Sequence, residues 1–208
     1  MRCYSYVVAR DYGFAPNPFG PYCTLATCKP PIRMAARAGD WVVGTGSARY
    51  QGSEVLVFAL QVTERLTYNE YWEDPRFLYK RPVLNGSLKQ MYGDNIYHYE
   101  DGRWYQEDSH HSNEDGSVNV YNLKRDTSYP YTLISDHFFY FGTNAVRIPK
   151  SFLFKNGENI CKIGPGYRCR FSDEFISKFI LWLTATHSPG YLGDPVLFER
   201  FERYDGVS

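Results

Sequence analysis

Short apolar runs separated by turn-forming residues set the hydrophobic pattern of this chain. Residues 3–9, Trp41–Thr45 and 55–63 are rich in β-branched and aromatic side chains, which favours strands. The last two runs flank a linker rich in Gly and Ser, so they predict an antiparallel pair. Residues 132–135 and 137–141 have the same character. The pattern therefore predicts at least five strands.

Helix signals lie between these runs. Residues 31–38 begin with proline in the first turn, are rich in alanine and stop at Gly39. Thr67 and Glu70 have the spacing of a capping box and predict a brief helix before Pro75. Ser172 precedes two acidic residues and a helical apolar pattern over residues 174–186. Mixed strands and helices predict an α+β class.

A long polar segment, at about residues 84–131, interrupts this order. It contains two Asp-Gly turn signals and many Tyr, Trp and His residues, which argue for an ordered insert rather than a disordered one. Strands at 96–99 and 118–121 are predicted inside it. No repeat or linker divides the chain, so residues 1–208 predict a single domain with one polar insert.

Composition and charge narrow the classes of protein. The chain is 43% hydrophobic and 22% charged, as in globular proteins, and its 18% aromatic content indicates apolar surfaces that carry hydroxyls, or a core lined by bulky rings. The formal net charge is zero, so any contact with nucleic acid must be local. The absence of a signal-peptide pattern and of a long apolar run predicts a cytoplasmic protein without a membrane contact.

Cofactor and metal motifs are absent from the sequence. The cysteine count of five is odd and contains no CxxC pair, which predicts free thiols rather than disulfides or a zinc ribbon. No HExxH motif, Walker loop or dinucleotide fingerprint occurs, so we predict no ATP or NAD site. No residue is assigned to a metal, but the histidines and carboxylates of residues 94–126 leave a metal site open as an alternative. The cofactor, if there is one, is left open by the sequence.

The first candidate for chemistry is the stretch of residues 10–33, a loop stiffened by prolines. Cys28 stands beside Lys29 and near a helix start, where cations and amide dipoles lower a thiol pKa, so it is a candidate nucleophile. Cys23 is expected in the core. The structural alternative for Asp11 and Asn17 is that they satisfy their own turns.

The second candidate is the stretch of residues 94–126. His98, His111 and Asp108 lie within it as candidate acid–base groups, although their spacing matches no known motif. On a strand the adjacent His110 and His111 side chains would point apart, which predicts that one of them is at the surface. The aromatic run at 137–141 can either stack a base or fill a core.

Several segments resemble one known family. They are residues 10–19, 23–30, 39–42, 93–98, 109–112 and 139–142. Together they resemble the nucleotide modification associated domain family, second type, of bacteria and phages, and the resemblance covers most of the chain. It implies an association with the synthesis of modified nucleotides or bases, without a defined reaction. The element order is also similar to PUA-like and EVE-like domains that read modified bases, which implies a mainly antiparallel barrel or curved sheet with a few peripheral helices.

The leading hypothesis is that both stretches form one pocket for a nucleotide or an extruded base. The candidate catalytic residues are Asp11, Cys28, His98, Asp108 and His111. The candidate ligand-binding residues are Arg10, Asn17, Thr24, Lys29, Arg33, Asn95, Gln106, Ser109 and Tyr140. In this hypothesis Asp11 and Asn17 bind the base edge or sugar, and Lys29 and Arg33 bind phosphate.

Two other functions remain open at this point. A non-catalytic reader of modified DNA or RNA would need an aromatic pocket but no aligned acid–base pair. An interaction subunit of a phage or defence system would instead present an exposed aromatic patch.

Overall fold

The computed structural model describes residues 1–154 and 157–206 and has mixed α+β structure. The elements in chain order are β1 (Cys3–Val7), β2 (Cys23–Leu25), α1 (Pro30–Ala35), β3 (Trp41–Thr45), β4 (Val55–Gln61), β5 (Glu64–Thr67), α2 (Tyr68–Glu73), a 3₁₀ helix (Pro75–Lys80), α3 (Leu88–Met91), β6 (Tyr97–Glu100), β7 (Arg103–Gln106), α4 (Val120–Thr127), β8 (Tyr131–Ser135), β9 (His137–Tyr140), 3₁₀ turns at Gly142–Asn144 and Lys150–Phe152, β10 (Val146–Arg147), α5 (Asp173–Thr186) and β11 (Gly190–Tyr191).

These elements form two compact units. The first consists of Met1–Asp11, Ala36–Thr63 and Ser135–Val196. Its sheet has the strand order β1-β3-β4-β9-β11, and β10 pairs with β4. β1 runs parallel to β3, whereas β3 and β4 are antiparallel, with Trp41 opposite Gln61. The predicted antiparallel pair is therefore confirmed.

Helix α5 packs on this sheet and closes the core of the first unit. The Ser172 side chain accepts a hydrogen bond from the Phe175 N–H and begins the helix, as its sequence predicts. Phe175, Phe179 and Leu183 recur at helical spacing and pack in the same cluster as Trp41 of β3. Burial of this apolar face supplies most of the stability of such a helix.

The second unit consists of Tyr12–Ala35, Glu64–Ile134 and the chain from Leu197 onward. It holds a three-stranded sheet in the order β2-β8-β5 and the β6–β7 hairpin. Thr67 and Glu70 form the predicted capping box at the start of α2. Helix α4 is capped by Asn119, whose side chain accepts from the Asn122 N–H.

A buried lysine ties together loops of the second unit. Lys80 is 1% exposed, and its ammonium group donates to Asn17 O at 2.9 Å, to Asn17 Oδ1 at 2.6 Å and to Tyr22 O at 2.8 Å. Three acceptors match the three donors of an ammonium group. Burial lowers the pKa of Lys80 to about 8, partly offset by the charge of Asp94.

Three expectations need correction. The strands form three open sheets among the described residues, so the predicted barrel is not formed. Residues 118–121 were predicted as a strand, but α4 starts at Val120 because Asn119 caps it. The helix predicted at 31–38 is shorter and lies at Pro30–Ala35. The polar insert contains α3, β6, β7 and α4.

That the chain is a single domain stays a prediction.

Among the residues that the structure describes, no helix has the length and apolar content that crossing a bilayer requires.

The core of the first unit can be tested on one helix. Phe179 is 1% exposed, whereas Leu181, two residues later, is 67% exposed. We expect Phe179→Ala to lower the free energy of unfolding by ~3–5 kcal/mol, because it leaves a cavity. Leu181→Ala is the matched control and should change it by less than about 0.5 kcal/mol. Urea titration followed by circular dichroism measures both, and equal losses would contradict this packing.

Candidate functional site

Three polar side chains that are far apart in the sequence meet within the second unit. The Cys28 sulfur lies 3.8 Å from Nε2 of His111, and Nδ1 of His111 lies 2.7 Å from Oδ2 of Asp126. His111 and Asp126 are fully buried, whereas Cys28 is partly exposed. A thiol, an imidazole and a carboxylate in this order form a nucleophile, a base and a group that orients the base.

The backbone presents Cys28 on a sharp turn between a strand and a helix. β2 ends at Leu25 and α1 begins at Pro30. Cys28 and Lys29, in between, both have left-handed φ angles, 55° and 41°. Two consecutive non-glycine residues in this region store strain, which is characteristic of functional sites. The arrangement is similar to the strained strand-to-helix turn that exposes a nucleophile in hydrolases.

His111 is held by its main chain as well as by its ring. Its carbonyl oxygen accepts from Gln106 Nε2 and from Asn122 Nδ2, both at 3.0 Å. The ring packs 4.7 Å from the ring of Phe14. His110 and His111 are both buried, so the prediction that one is at the surface was wrong. The segment is a turn rather than a strand, and the two rings stack with their centroids 5.5 Å apart.

Asp126 collects donors from several elements. Its carboxylate accepts from His111, from the Tyr97 hydroxyl at 3.1 Å, from the Cys28 N–H at 3.1 Å and from Arg125 Nε at 3.2 Å. Near the end of α4, this carboxylate therefore holds the turn that carries Cys28. It also favours the tautomer of His111 in which Nδ1 is protonated. A proton on His111 Nδ1 leaves Nε2 facing the thiol.

The pKa values in this cluster favour a thiolate and an imidazolium. Burial raises the pKa of the Cys28 thiol, but the hydrogen bond and charge of His111, with help from Arg125, lower it overall. Burial lowers the pKa of His111, but the Asp126 carboxylate raises it to about 9. Burial also opposes ionisation of Asp126, whose pKa is nevertheless lowered by His111 and Arg125. Cys28 therefore has the electrostatic surroundings of a reactive thiol.

Arg33 holds the backbone around the site in place. Its side chain is completely buried and donates only to backbone carbonyls. The acceptors are Cys28 O at 2.8 Å, Asp126 O at 2.6 Å, Tyr129 O at 3.0 Å and Tyr131 O at 2.6 Å. These bonds connect the carbonyl of the nucleophile to the end of α4. The sequence hypothesis had assigned Arg33 to phosphate, but its donors are already engaged.

His98 lies on the opposite face of β6 from the cluster. Because side chains alternate along a strand, Tyr97 reaches Asp126 while His98 points the other way. There its ring is stacked between Trp72, at 4.3 Å, and Tyr105, at 4.9 Å. Arg81 covers the Trp72 ring at 3.5 Å. These ring contacts indicate that His98 has a packing role.

Asp108 and Asp11 have separate partners. Asp108 forms a two-pronged salt bridge with Arg203 and so fastens the chain after residue 197. Asp11 belongs to the first unit, where its carboxylate accepts from the Tyr140 hydroxyl and from the Val196 N–H at 3.4 Å. Of the five candidate catalytic residues, Cys28 and His111 are brought together within the second unit.

Most of the candidate ligand-binding residues are engaged in internal hydrogen bonds. Asn17 contacts Lys80, Thr24 donates to Asp94 at 2.7 Å, and Asn95 donates to Tyr71 O at 3.0 Å. Burial raises the pKa of Asp94, partly offset by the charge of Lys80. The others that form such bonds are Gln106, with His111 O; Ser109, with the His111 N–H; and Tyr140, with Asp11. Arg10 and Lys29 remain partly exposed.

An aromatic pocket opens elsewhere on the second unit. It has a volume of about 370 Å³ and is lined by Thr67, Tyr68, Asn69, Tyr99, Trp104 and Pro130. The Trp104 ring lies edge-on to Tyr68 and to Tyr99, at 5.6 and 5.2 Å. The single O–H of Tyr68 is shared between Ala26 O at 2.6 Å and Asp126 O at 3.1 Å, so this ring separates the pocket from the triad.

Three contributors to the cluster lie in the second candidate stretch but were not named as catalytic or ligand-binding residues. Asp126, Arg125 and Tyr97 act through contacts that are remote in sequence from Cys28. The missed signal was Asn119, a helix cap that places residues 120–127 on one helix and brings Asp126 to its buried side. No group of three or more His, Cys, Asp or Glu side chains that could hold a metal ion occurs within residues 1–154 and 157–206.

The fold and the site together define an α+β protein with a thiol–imidazole–carboxylate triad, in which the imidazole and the carboxylate are buried and the thiol is partly exposed. The chain belongs to the nucleotide modification associated domain 2 family, whose model matches residues 1–202. No curated protein and no solved structure matches it. Membership links the chain to nucleotide modification, and the triad is a property of its own geometry.

Replacing Arg33 tests its structural role. We expect Arg33→Met to lower the free energy of unfolding by ~3–5 kcal/mol, because four carbonyls lose their bond to the buried guanidinium group. Arg65→Met is the control, since Arg65 covers the Tyr131 ring at 4.0 Å and should cost about 1 kcal/mol or less. Thermal and urea unfolding measure both, and a neutral Arg33→Met would refute the role.

The pH profile of Cys28 alkylation tests the coupling to His111. In the unmodified protein, the lowered thiol pKa should give rapid reaction with iodoacetamide at pH values below the ordinary thiol range. His111→Gln removes the favourable hydrogen bond and charge while burial remains, so the midpoint should move to higher pH. The exposed Cys169 is an internal reference whose profile should not change. Peptide mass spectrometry separates the two sites, and an unshifted Cys28 midpoint would rule out the coupling.

Proposed function

We propose that this protein is a thiol-dependent enzyme of nucleotide or nucleic-acid base modification, with Cys28 as nucleophile, His111 as acid–base group and Asp126 as the residue that orients His111. The observation that carries the proposal is the alignment of Sγ, Nε2, Nδ1 and Oδ2 over distances of 3.8 and 2.7 Å. The strained turn at Cys28 supports it independently.

The first chemical step forms a bond between sulfur and an electrophilic carbon of the substrate. The Cys28 thiolate donates an electron pair to that carbon, and the bond to the leaving group breaks with its electron pair. His111 Nε2 supplies the proton that neutralises the leaving group, and Asp126 keeps Nδ1 protonated and the ring aligned. The step is neutral in redox terms and needs no oxidant.

The second step releases the covalent intermediate. His111, now neutral, takes a proton from water or from a second nucleophile, which attacks the same carbon. The carbon–sulfur bond breaks, its electron pair returns to sulfur, and the thiolate–imidazolium pair is restored. A group transfer or a hydrolysis on a nucleotide fits this sequence of steps, and family membership supports the choice of a nucleotide over other substrates.

The alternative is a non-catalytic reader of modified bases. It is favoured by the aromatic pocket of Tyr68, Tyr99 and Trp104, in which a base could stack. A reader would need Trp104 but not Cys28. The enzyme requires Cys28, so the two functions predict opposite results for one pair of variants.

The test is untargeted mass spectrometry of the nucleotide pool and of digested DNA and RNA from cells that express the protein. The unmodified chain should cause a nucleoside to appear or to be depleted. Cys169→Ser, which replaces a control thiol, should cause the same change. Cys28→Ser should abolish the change, and Asp126→Asn should reduce it by about 10²-fold or more because the base is misoriented.

Two results would overturn the enzyme proposal. One is a mass change that persists in Cys28→Ser, and the other is no change at all together with binding of nucleotides that is lost in Trp104→Ala but retained in Cys28→Ser. The second result would favour the reader. Circular dichroism of each variant shows that the fold is retained.

A further inference from the structure

A guanidinium group with unused donors lies directly beside the nucleophile. Arg125 Nε and the Cys28 N–H donate to the same oxygen, Asp126 Oδ1, at 3.2 and 3.1 Å. The guanidinium group is therefore adjacent to the turn that carries the thiol. It also lies 5.9 Å from the centre of the Tyr204 ring.

Arg125 differs from Arg33 in the use of its donors. Arg33 gives its N–H groups to four carbonyls, whereas within residues 1–154 and 157–206 Arg125 gives Nε to Asp126 and has one further bond, a long one of 3.4 Å from Nη1 to Gly206 O. Nη2 of Arg125 is buried and has no hydrogen-bond partner among the described residues. An unsatisfied buried donor of a charged group costs free energy that a bound anion would recover.

Access to this group is compatible with a ligand. The Arg125 side chain is 27% exposed, so part of it faces solvent, whereas Nη2 itself is buried. The contact that covers Nη1 is the weakest that the guanidinium group makes, and an anionic oxygen would form a shorter, charge-assisted bond in its place. Nη1 and Nη2 together offer the planar fork that suits phosphate.

Resting on the function proposed above, we propose that Arg125 binds the phosphate of a nucleotide substrate through Nη1 and Nη2 and holds that substrate against Cys28. Arg125 is in this view a residue that determines specificity. It selects nucleotides over nucleosides, while Asp126 holds its Nε in place.

The alkylation of Cys28 by two reagents of equal shape tests the local preference for anions. Iodoacetate carries a negative charge and iodoacetamide does not. We expect the rate constant for iodoacetate divided by that for iodoacetamide at Cys28 to fall on the order of tenfold in Arg125→Gln, because the positive charge that favours the anionic reagent is lost. Arg125→Lys should retain much of the ratio. Arg103→Gln, on the β6–β7 hairpin, is the matched control and should leave it unchanged.

Protection by ligands tests the phosphate itself. Deoxynucleoside 5′-monophosphates should slow alkylation of Cys28 in the unmodified protein but not in Arg125→Gln, whereas the corresponding nucleosides should not protect either protein. Arg125→Lys should show weaker protection, since a lysine cannot form the two-pronged contact. An unchanged reagent ratio in Arg125→Gln, or equal protection by nucleosides and nucleotides, would overturn the inference.

The failure of this inference is distinguishable from a failure of the proposed function. If Cys28 reacts no faster than Cys169, the reactive thiol is absent and the enzyme proposal fails. Arg125 is then still judged by thermal denaturation, in which the monophosphates should raise the Tm of the unmodified protein and of Cys28→Ser but not of Arg125→Gln. Equal shifts in all three proteins would reject the phosphate site.

Discussion

The second unit is organised around one buried negative charge, the carboxylate of Asp126. Removing a carboxylate from water is costly, and this one is stabilised by donors from a histidine ring, a tyrosine hydroxyl, an arginine and a backbone N–H. Its own main-chain oxygen accepts from Arg33 and Tyr68. The same contacts that compensate the burial of the charge also position the thiol and the imidazole, so folding of this unit and assembly of the site are one event.

The balance of forces at Cys28 follows from that arrangement. Burial alone favours a neutral thiol, as it does at Cys23, where it raises the pKa to about 12. Cys28 lies only five positions later, yet the contact with His111 reverses the direction. Two thiols in one short segment therefore differ in chemistry because the hydrogen bond and charge of His111 outweigh burial at Cys28, whereas the charge of Lys80 does not outweigh burial at Cys23.

Local signals in the sequence predicted local structure well. The capping box at Thr67, the cap at Ser172 and the pairing of β3 with β4 were all readable, because each depends on neighbouring residues or on a short turn. The sequence identified Cys28 and His111 as candidate catalytic residues, but their proximity was only a hypothesis. Contacts between residues 28, 111 and 126 depend on tertiary packing, and no spacing rule encodes them. The prediction of a barrel was wrong for the same reason, because closure of a sheet depends on pairing between strands that are distant in sequence.

The burial of Lys80 has a consequence for observing how the molecule moves. An ammonium group that is 1% exposed and bonded to three oxygens is shielded from amine-reactive reagents as long as the loops around it stay closed. Its acylation requires a local opening of the second unit, so the rate of that reaction measures the opening equilibrium. The acylation rate of Lys80 thus reports on fluctuations of the unit that carries the triad.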